Sequence, residues 1–187
     1  MDIAVFGGAF DPPHLGHLTI ARQLLKQHLA NEVWFLPVKN HPFSKNLSAE
    51  EHRLAMLELM IEAQMRIETY ELEQETVSYT YKSLKALVKQ HSQHRFSFVI
   101  GSDNLQKFPE WDHATELAEQ FQIFVYPRKT YPLSPLLINM QIIENVPEIE
   151  VSSTQIKELV KQGSDIKELV TPDILRYIQQ NKLYSNT

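Results

Sequence analysis

Residues 6–18 read FGGAFDPPHLGHL and hold three of the chain's five glycines and two of its eight histidines. Gly7 and Gly8 follow the apolar run IAVF (3–6), and His14 and His17 flank Leu15 and Gly16. Glycines at a strand end let a ligand lie against the main chain, because no Cβ stands in the way. Pro12 and Pro13 stiffen the connection, and Gly16-His17 enters a helix. Imidazoles at a helix N-terminus stand at the positive end of its dipole, where a cation is unfavourable unless an anion is bound. The chemistry indicated is phosphate binding. Neither the Walker pattern G-x-x-x-x-G-K-[ST] nor the dinucleotide pattern G-x-G-x-x-G is present. Two histidines at this spacing could also bind zinc or merely satisfy loop backbone. No further ligand cluster accompanies them, so no protein-held metal is expected.

A second cluster points the same way. In VSSTQIK (151–157), Ser152 or Ser153 caps a helix and presents hydroxyl and backbone N–H groups, with Thr154 beside them. Lys157 falls in the first turn, again the wrong end of the dipole for a cation without an anion.

The elements that must position these groups are short apolar runs alternating with helical periods. IAVF (3–6), VWFLPV (33–38), FSFVIG (96–101) and FQIFVYP (121–127) read as strands buried on both faces, with PEIEVSS (147–153) a weaker fifth. MRIETYELE (65–73) alternates more and suits an edge or accessory strand. Leu18, Ala21, Leu24, Leu25 and Leu29 mark one helix, and Ser48-x-x-Glu51 is a capping box opening a second. Tyr81, Leu84 and Val88 mark a third, and Asp112 is placed to cap a short one after Trp111. Ile156, Leu159 and Val160 face inward on the next, which Gly163 stops, and Thr171-Pro172 opens the last. The βα alternation predicts an α/β fold: one Rossmann-like, doubly wound domain over 1–187, with a mainly parallel sheet flanked by helices. Residues 128–147, with three prolines, are expected as a surface excursion. Ligands bind such sheets beyond the carboxyl ends of the strands, where FGG, GSD (101–103) and SST (152–154) would converge.

The 187 residues suffice for one core, and the absence of cysteine excludes disulfides, thiolate zinc sites and cysteine nucleophiles. A net charge of −5 argues against a bulk nucleic-acid binder but not against a local phosphate site. With neither a signal peptide nor a membrane-spanning run, a cytoplasmic protein is expected. Homo-oligomerisation is left open.

GGAFDPPHLGH followed by VSSTQIK resembles the nucleotidyltransferase superfamily, with its H-x-G-H or T-x-G-H loop and S-S-T-x-x-R helix start. HPFSK with Arg53, SYTYKSL, IGSDNLQKFPEW and LVTPDILRYIQQNKLY extend the likeness over nearly the whole chain. These segments look like the bacterial nicotinate/nicotinamide mononucleotide adenylyltransferases in particular, and SYT (78–80) and GSD…W (101–111) are what narrow the resemblance. The resemblance implies transfer of the adenylyl group of ATP to a pyridine mononucleotide, giving the dinucleotide and pyrophosphate. It implies His14, His17 and Lys157 as catalytic groups, with His17 nearest the α-phosphate. Gly7, Gly8, Phe10, Lys45, Ser153 and Thr154 would join them in binding ATP, and Thr80, Asp103 and Trp111 would bind the mononucleotide. Mg²⁺ would arrive with ATP, held chiefly by phosphates. Apart from the resemblance, Trp111 reads as a core anchor, while a loop-capping role for Asp103 and a plain surface position for Lys45 stay open as alternatives. Lys157 departs from the family's usual arginine, keeping the charge without the two-pronged fork. Two other readings stay open: a phosphopantetheine-type adenylyltransferase of the same fold, or a non-catalytic nucleotide-binding paralogue.

Overall fold

The computed structural model describes residues 1–39, 47–74, 79–147 and 150–185. In chain order it holds β1 (Asp2–Gly8), α1 (Leu15–Lys26), β2 (Glu32–Pro37), α2 (Glu50–Glu58), β3 (Met65–Ile67) and α3 (Thr80–Gln90). β4 (Arg95–Gly101), α4 (Ser102–Leu105), a 3-10 turn (Phe108–Glu110), α5 (Ala114–Gln120) and β5 (Gln122–Tyr126) follow. β6 (Met140–Ile142), α6 (Ser153–Lys161) and α7 (Pro172–Gln180) complete it. The strands form one sheet in the order β3-β2-β1-β4-β5-β6, and every neighbouring pair is parallel. The expected α/β, doubly wound architecture is the observed one.

Alternation along the strands explains the unbroken apolar runs. Ala4 and Phe6 join Val33 and Phe35 in a core under α1, α2, α6 and α7. Ile3 and Val5 point the other way, into a core with Trp34, Phe98, Leu84 and Leu117 beneath α3 and α5. A strand covered on both faces has no polar side to show.

β1 lies in the middle, and the chain leaves it first towards β2 and β3, then crosses to β4, β5 and β6. The pairing of β1 with β4 runs from Asp2↔Arg95 to Val5↔Phe98, although β1 continues to Gly8 and β4 to Gly101. The two strands therefore part towards their carboxyl ends, at the point where the winding reverses. That is where open α/β sheets admit ligands.

Several local expectations are corrected. The last strand is not 147–153: Val151 and Ser152 are irregular, residues 148–149 lie outside the described ones, and β6 falls inside the predicted excursion. Asn139 starts it at φ 60°, its amide donating to the carbonyls of Ala118 and Glu119, and Ile143 continues the pairing onto Val125. The capping box at Ser48 does not form. Ala49 is the N-cap of α2, while the Ser48 N–H donates to Asp11 and its carbonyl accepts from Arg53. His113, in the left-handed region, and not Asp112, precedes α5. On α3 it is Leu84 and Leu87 that are buried, and Val88 is exposed. The caps at Ser152 and Thr171 form as expected, each accepting from the backbone N–H three residues on. Among the described residues no helix is long and apolar enough to cross a membrane.

Arg53 fastens the loops beyond β1 and β2. It is 1% exposed, and its guanidinium donates to the carbonyls of Ala9 (2.9 Å), Val38 (2.8 Å) and Ser48 (3.2 Å). Arg53→Leu strands those carbonyls and removes a buried charge balanced by its surroundings. It should cost about 3 kcal/mol of stability, read as a lower urea midpoint; an unchanged midpoint would rule out this fastening role.

Candidate active site

The N-terminus of α1 carries both histidines. His14 is the N-cap and His17 stands three residues on, so one turn stacks the rings with centroids 3.7 Å apart and planes 24° from parallel. The His14 N–H donates to His17 Nδ1 at 3.2 Å. An accepting Nδ1 assigns the His17 proton to Nε2, leaving that nitrogen as an N–H donor. His14 is 4% exposed, and its buried Nδ1 has no hydrogen-bond partner among the described residues. Gly16 lies under this ring: a Cβ there would come within 3.0 Å of His14 Cε1 and Nδ1 and 3.1 Å of Val151. The glycine between the histidines thus makes room for the protein's own imidazole.

Both rings are neutral. Burial, then the Arg128 guanidinium, hold His14 down to about 3. Burial, then His14 and Arg128, hold His17 well below the ordinary histidine range. Neutral imidazoles at the positive end of a helix carry no dipole penalty.

The histidines line a cleft of about 390 Å³ with Tyr126, Arg128, Ser152 and Gln155, within the usual range for a small-molecule site. Arg128 brings a guanidinium to it that no sequence motif marks, since it falls in the stretch expected as an excursion. Its Nη2 donates to the Tyr126 hydroxyl at 3.0 Å, and Nε lies 3.2 Å from Asp103 Oδ1. Ser102 fixes the same turn, its Oγ accepting from the Arg128 N–H at 2.9 Å. Gly101 is required for this arrangement: a Cβ would stand 2.2 Å from Asp103 Oδ1 and 2.8 Å from the Tyr126 ring.

The other predicted residues fall around this centre. Ser152 caps α6, while the Ser153 Oγ donates to the Pro12 carbonyl at 2.8 Å and Thr154 is exposed. Lys157 already has an anion within the chain, because its ammonium is paired with Asp11. The dipole argument for it is corrected accordingly, since the compensating anion is part of the chain. Phe10 is 1% exposed and meets the His17 ring edge-on at 5.0 Å, so it shapes the cleft from beneath. A Cβ on Gly8 would lie 3.1 Å from the Phe10 ring, and one on Gly7 3.3 Å from the Phe98 ring. Trp111 is half-buried, packed on Phe98 (6.3 Å) and Phe108 (5.3 Å). Tyr81 stacks on His113 at 4.6 Å, which joins the start of α3, and so Thr80, to the turn after Trp111. Asp103 is paired with Arg128. Lys45 lies outside the described residues.

The donor set does not suit a protein-held cation. Asp11 is taken up by Lys157, Tyr184 and Ser48, and Asp103 faces Arg128. Among the described residues no group of three His, Asp or Glu side chains could hold a metal.

The family model of the cytidylyltransferase-like proteins matches residues 5–159. A nicotinate-nucleotide adenylyltransferase of Bacillus subtilis is 34% identical, with 98% of each chain covered. A probable nicotinate-nucleotide adenylyltransferase of Salinibacter ruber is 34% identical over the whole of both chains. One of Geobacillus thermodenitrificans is 36% identical over 97% of this chain and 85% of its own. In fold, the chain is similar to a Plasmodium falciparum nicotinic acid mononucleotide adenylyltransferase solved with NaAD. The TM-score is 0.81 at 21% identity, covering 98% of this chain and 97% of that one.

The neutral rings leave a mark on stability. Between about pH 6.5 and about 3 the unfolded chain protonates His14 and the folded one does not. The folded state therefore carries no penalty above pH 6.5 and loses stability as pH falls through that window, by up to about 1.4 kcal/mol per unit for this ring. Urea midpoints should fall from pH 7 to 5 in the wild type, with a shallower slope in His14→Asn. Identical slopes would show that His14 is not buried neutral.

Proposed function

Since the chain belongs to the cytidylyltransferase-like family, and within it groups with nicotinate-nucleotide adenylyltransferases over nearly its full length, we propose that it transfers the adenylyl group of ATP to nicotinate mononucleotide in NAD biosynthesis. A phosphate oxygen of the mononucleotide attacks the α-phosphorus in line. That P–O bond forms as the bond from the α-phosphorus to the bridging oxygen breaks, and pyrophosphate leaves with the electron pair. Proton donors, not a protein nucleophile, are what such a transfer requires.

The observation that carries this reading is the stacked, neutral histidine pair at the start of α1, opening onto a cleft with Arg128. His17 donates from Nε2 to an α-phosphate oxygen, where charge gathers as the bonds exchange. His14 binds the neighbouring phosphates, and Arg128 draws the polyanion into the cleft. Ser153, Thr154 and Lys157 meet the pyrophosphate end from α6, and Lys45 approaches it from the loop after β2. Gly7 and Gly8 let the substrates lie against β1. Trp111 offers its ring to the pyridine, Thr80 its hydroxyl to the carboxylate and Asp103 its carboxylate to the ribose. Mg²⁺ enters as part of the MgATP substrate, bound by phosphate oxygens.

Pyrophosphate release with MgATP and either nicotinate or nicotinamide mononucleotide tests the reading directly. The wild type should turn over with the nicotinate form. His17→Ala should lower kcat by roughly 10²–10³ in a protein that melts as the wild type does. A wild type silent with both acceptors rejects the proposal, and full activity in the folded variant rejects the role of His17.

Trp111→Ala separates stacking from packing. Loss of a stacked ring should raise KM for the mononucleotide about tenfold and leave KM for ATP unchanged. Equal increases for both substrates, with a lower Tm, would mark Trp111 as a core anchor only.

A further inference from the structure

Lys157 is the residue at which the chain departs from the arginine of its family's motif, and its surroundings are unusual for a lysine. Its ammonium is paired with Asp11 Oδ2 and lies 5.3 Å from the centre of the Tyr184 ring. Asp11 is 1% exposed. Its Oδ1 accepts from the Tyr184 hydroxyl at 2.6 Å, and its Oδ2 also accepts from the Ser48 N–H at 3.0 Å. Burial pushes the Asp11 carboxyl up, but the bonds from Lys157, Tyr184 and Ser48 outweigh it and hold the group below the usual carboxylate range. Burial and the Asp11 charge push the Tyr184 hydroxyl up, so it stays a proton donor.

A lysine on its four-carbon stem gives up considerable rotamer freedom when fixed. Here a carboxylate and an aromatic ring fix it before any ligand arrives. Lys157 remains 24% exposed, and an ammonium has three donors, so the pairing with Asp11 leaves others for a second anion. The Ser153 bond to the Pro12 carbonyl brings the start of α6 against the same loop, next to the histidines.

We propose that Asp11 and Tyr184 are positioning residues that act through Lys157, holding its ammonium where the pyrophosphate of the substrate is received. A fixed point charge then stands in for the geometry an arginine fork would supply. The proposal rests on the adenylyl-transfer reading. It also makes the C-terminal segment carrying Tyr184 part of the active site, although that segment follows the last helix.

A double-mutant cycle on the full chain tests it, with kcat and KM for ATP read from pyrophosphate release. Asp11→Asn should lower kcat about tenfold or more, with a smaller change in KM, and Tyr184→Phe, which keeps the ring, about threefold. In a Lys157→Ala background the same changes should cost less than about twofold, because the group they position is gone. Equal losses in both backgrounds would assign Asp11 and Tyr184 to the fold alone and overturn the proposal. Should Asp11→Asn fail to fold, the Tyr184→Phe cycle decides by the same rule.

Positioning is also read without turnover. The ¹⁵N-labelled Lys157 ammonium should give a slowly exchanging NMR signal in the wild type that is lost in Tyr184→Phe. If that signal is absent from the wild type, the clamp does not exist. If it is present in a wild type that releases no pyrophosphate, the transfer reading fails while the clamp stands.

Discussion

A carboxylate buried to 1% exposure must be matched by donors or surrender its charge. Around Asp11 the matching groups come from Ser48, Lys157 and Tyr184, far apart in the chain. One charge thereby holds the loop after β1 to the entrance of α2, the second turn of α6 and the C-terminal segment. Arg53 works beside it with the opposite sign, its guanidinium satisfied by carbonyls of Ala9, Val38 and Ser48. Burial lowers the Arg53 pKa and the Asp11 charge opposes that fall. Such pairs often add little to net stability against apolar replacements. What they give here is definition: loops that would otherwise wander are fixed around the helix bearing the histidines.

The cleft divides its work between a charge and neutral donors. Arg128 is held by the Tyr126 hydroxyl and by Asp103, and its field helps keep both imidazoles unprotonated. A second and third cation so close to Arg128 would repel it and one another in the free protein. Neutral N–H groups avoid that cost and still strengthen their hydrogen bonds as negative charge accumulates on an oxygen. Attraction over distance falls to the guanidinium, and discrimination of the transition state to the rings.

The sequence conveyed the fold well, because two-sided burial leaves runs such as VWFLPV and FSFVIG with no polar alternation. It conveyed β6 poorly. MQI is short and edge-placed, and Asn139, which starts it, does so through left-handed backbone and contacts to α5 that no periodicity reports. The histidine turn was legible as a cluster of rare residue types. Arg128 was not, because a lone arginine among prolines after a strand carries no local signal. Ser48 and Lys157 differ from expectation for a shared reason: capping and dipole arguments see only neighbours in sequence, and Asp11 reaches both across the fold. Lys45, in the segment 40–46, lies outside the described residues.

The glycines alter the physical picture most. As residues before and within a helix start, they suggest backbone laid open to a ligand. In the folded chain the tightest approaches at Gly16 and Gly101 are to the protein's own groups, the His14 ring in one case, Asp103 and Tyr126 in the other. Those side chains are the ones that border the cleft or orient Arg128. At these two positions the missing Cβ acts one layer behind the ligand, by letting the contacting groups sit close and be held from behind. A transfer that depends on aligning two phosphates along one line requires that kind of support. It also explains why glycine stands between the two histidines and at the end of β4, where the strands diverge.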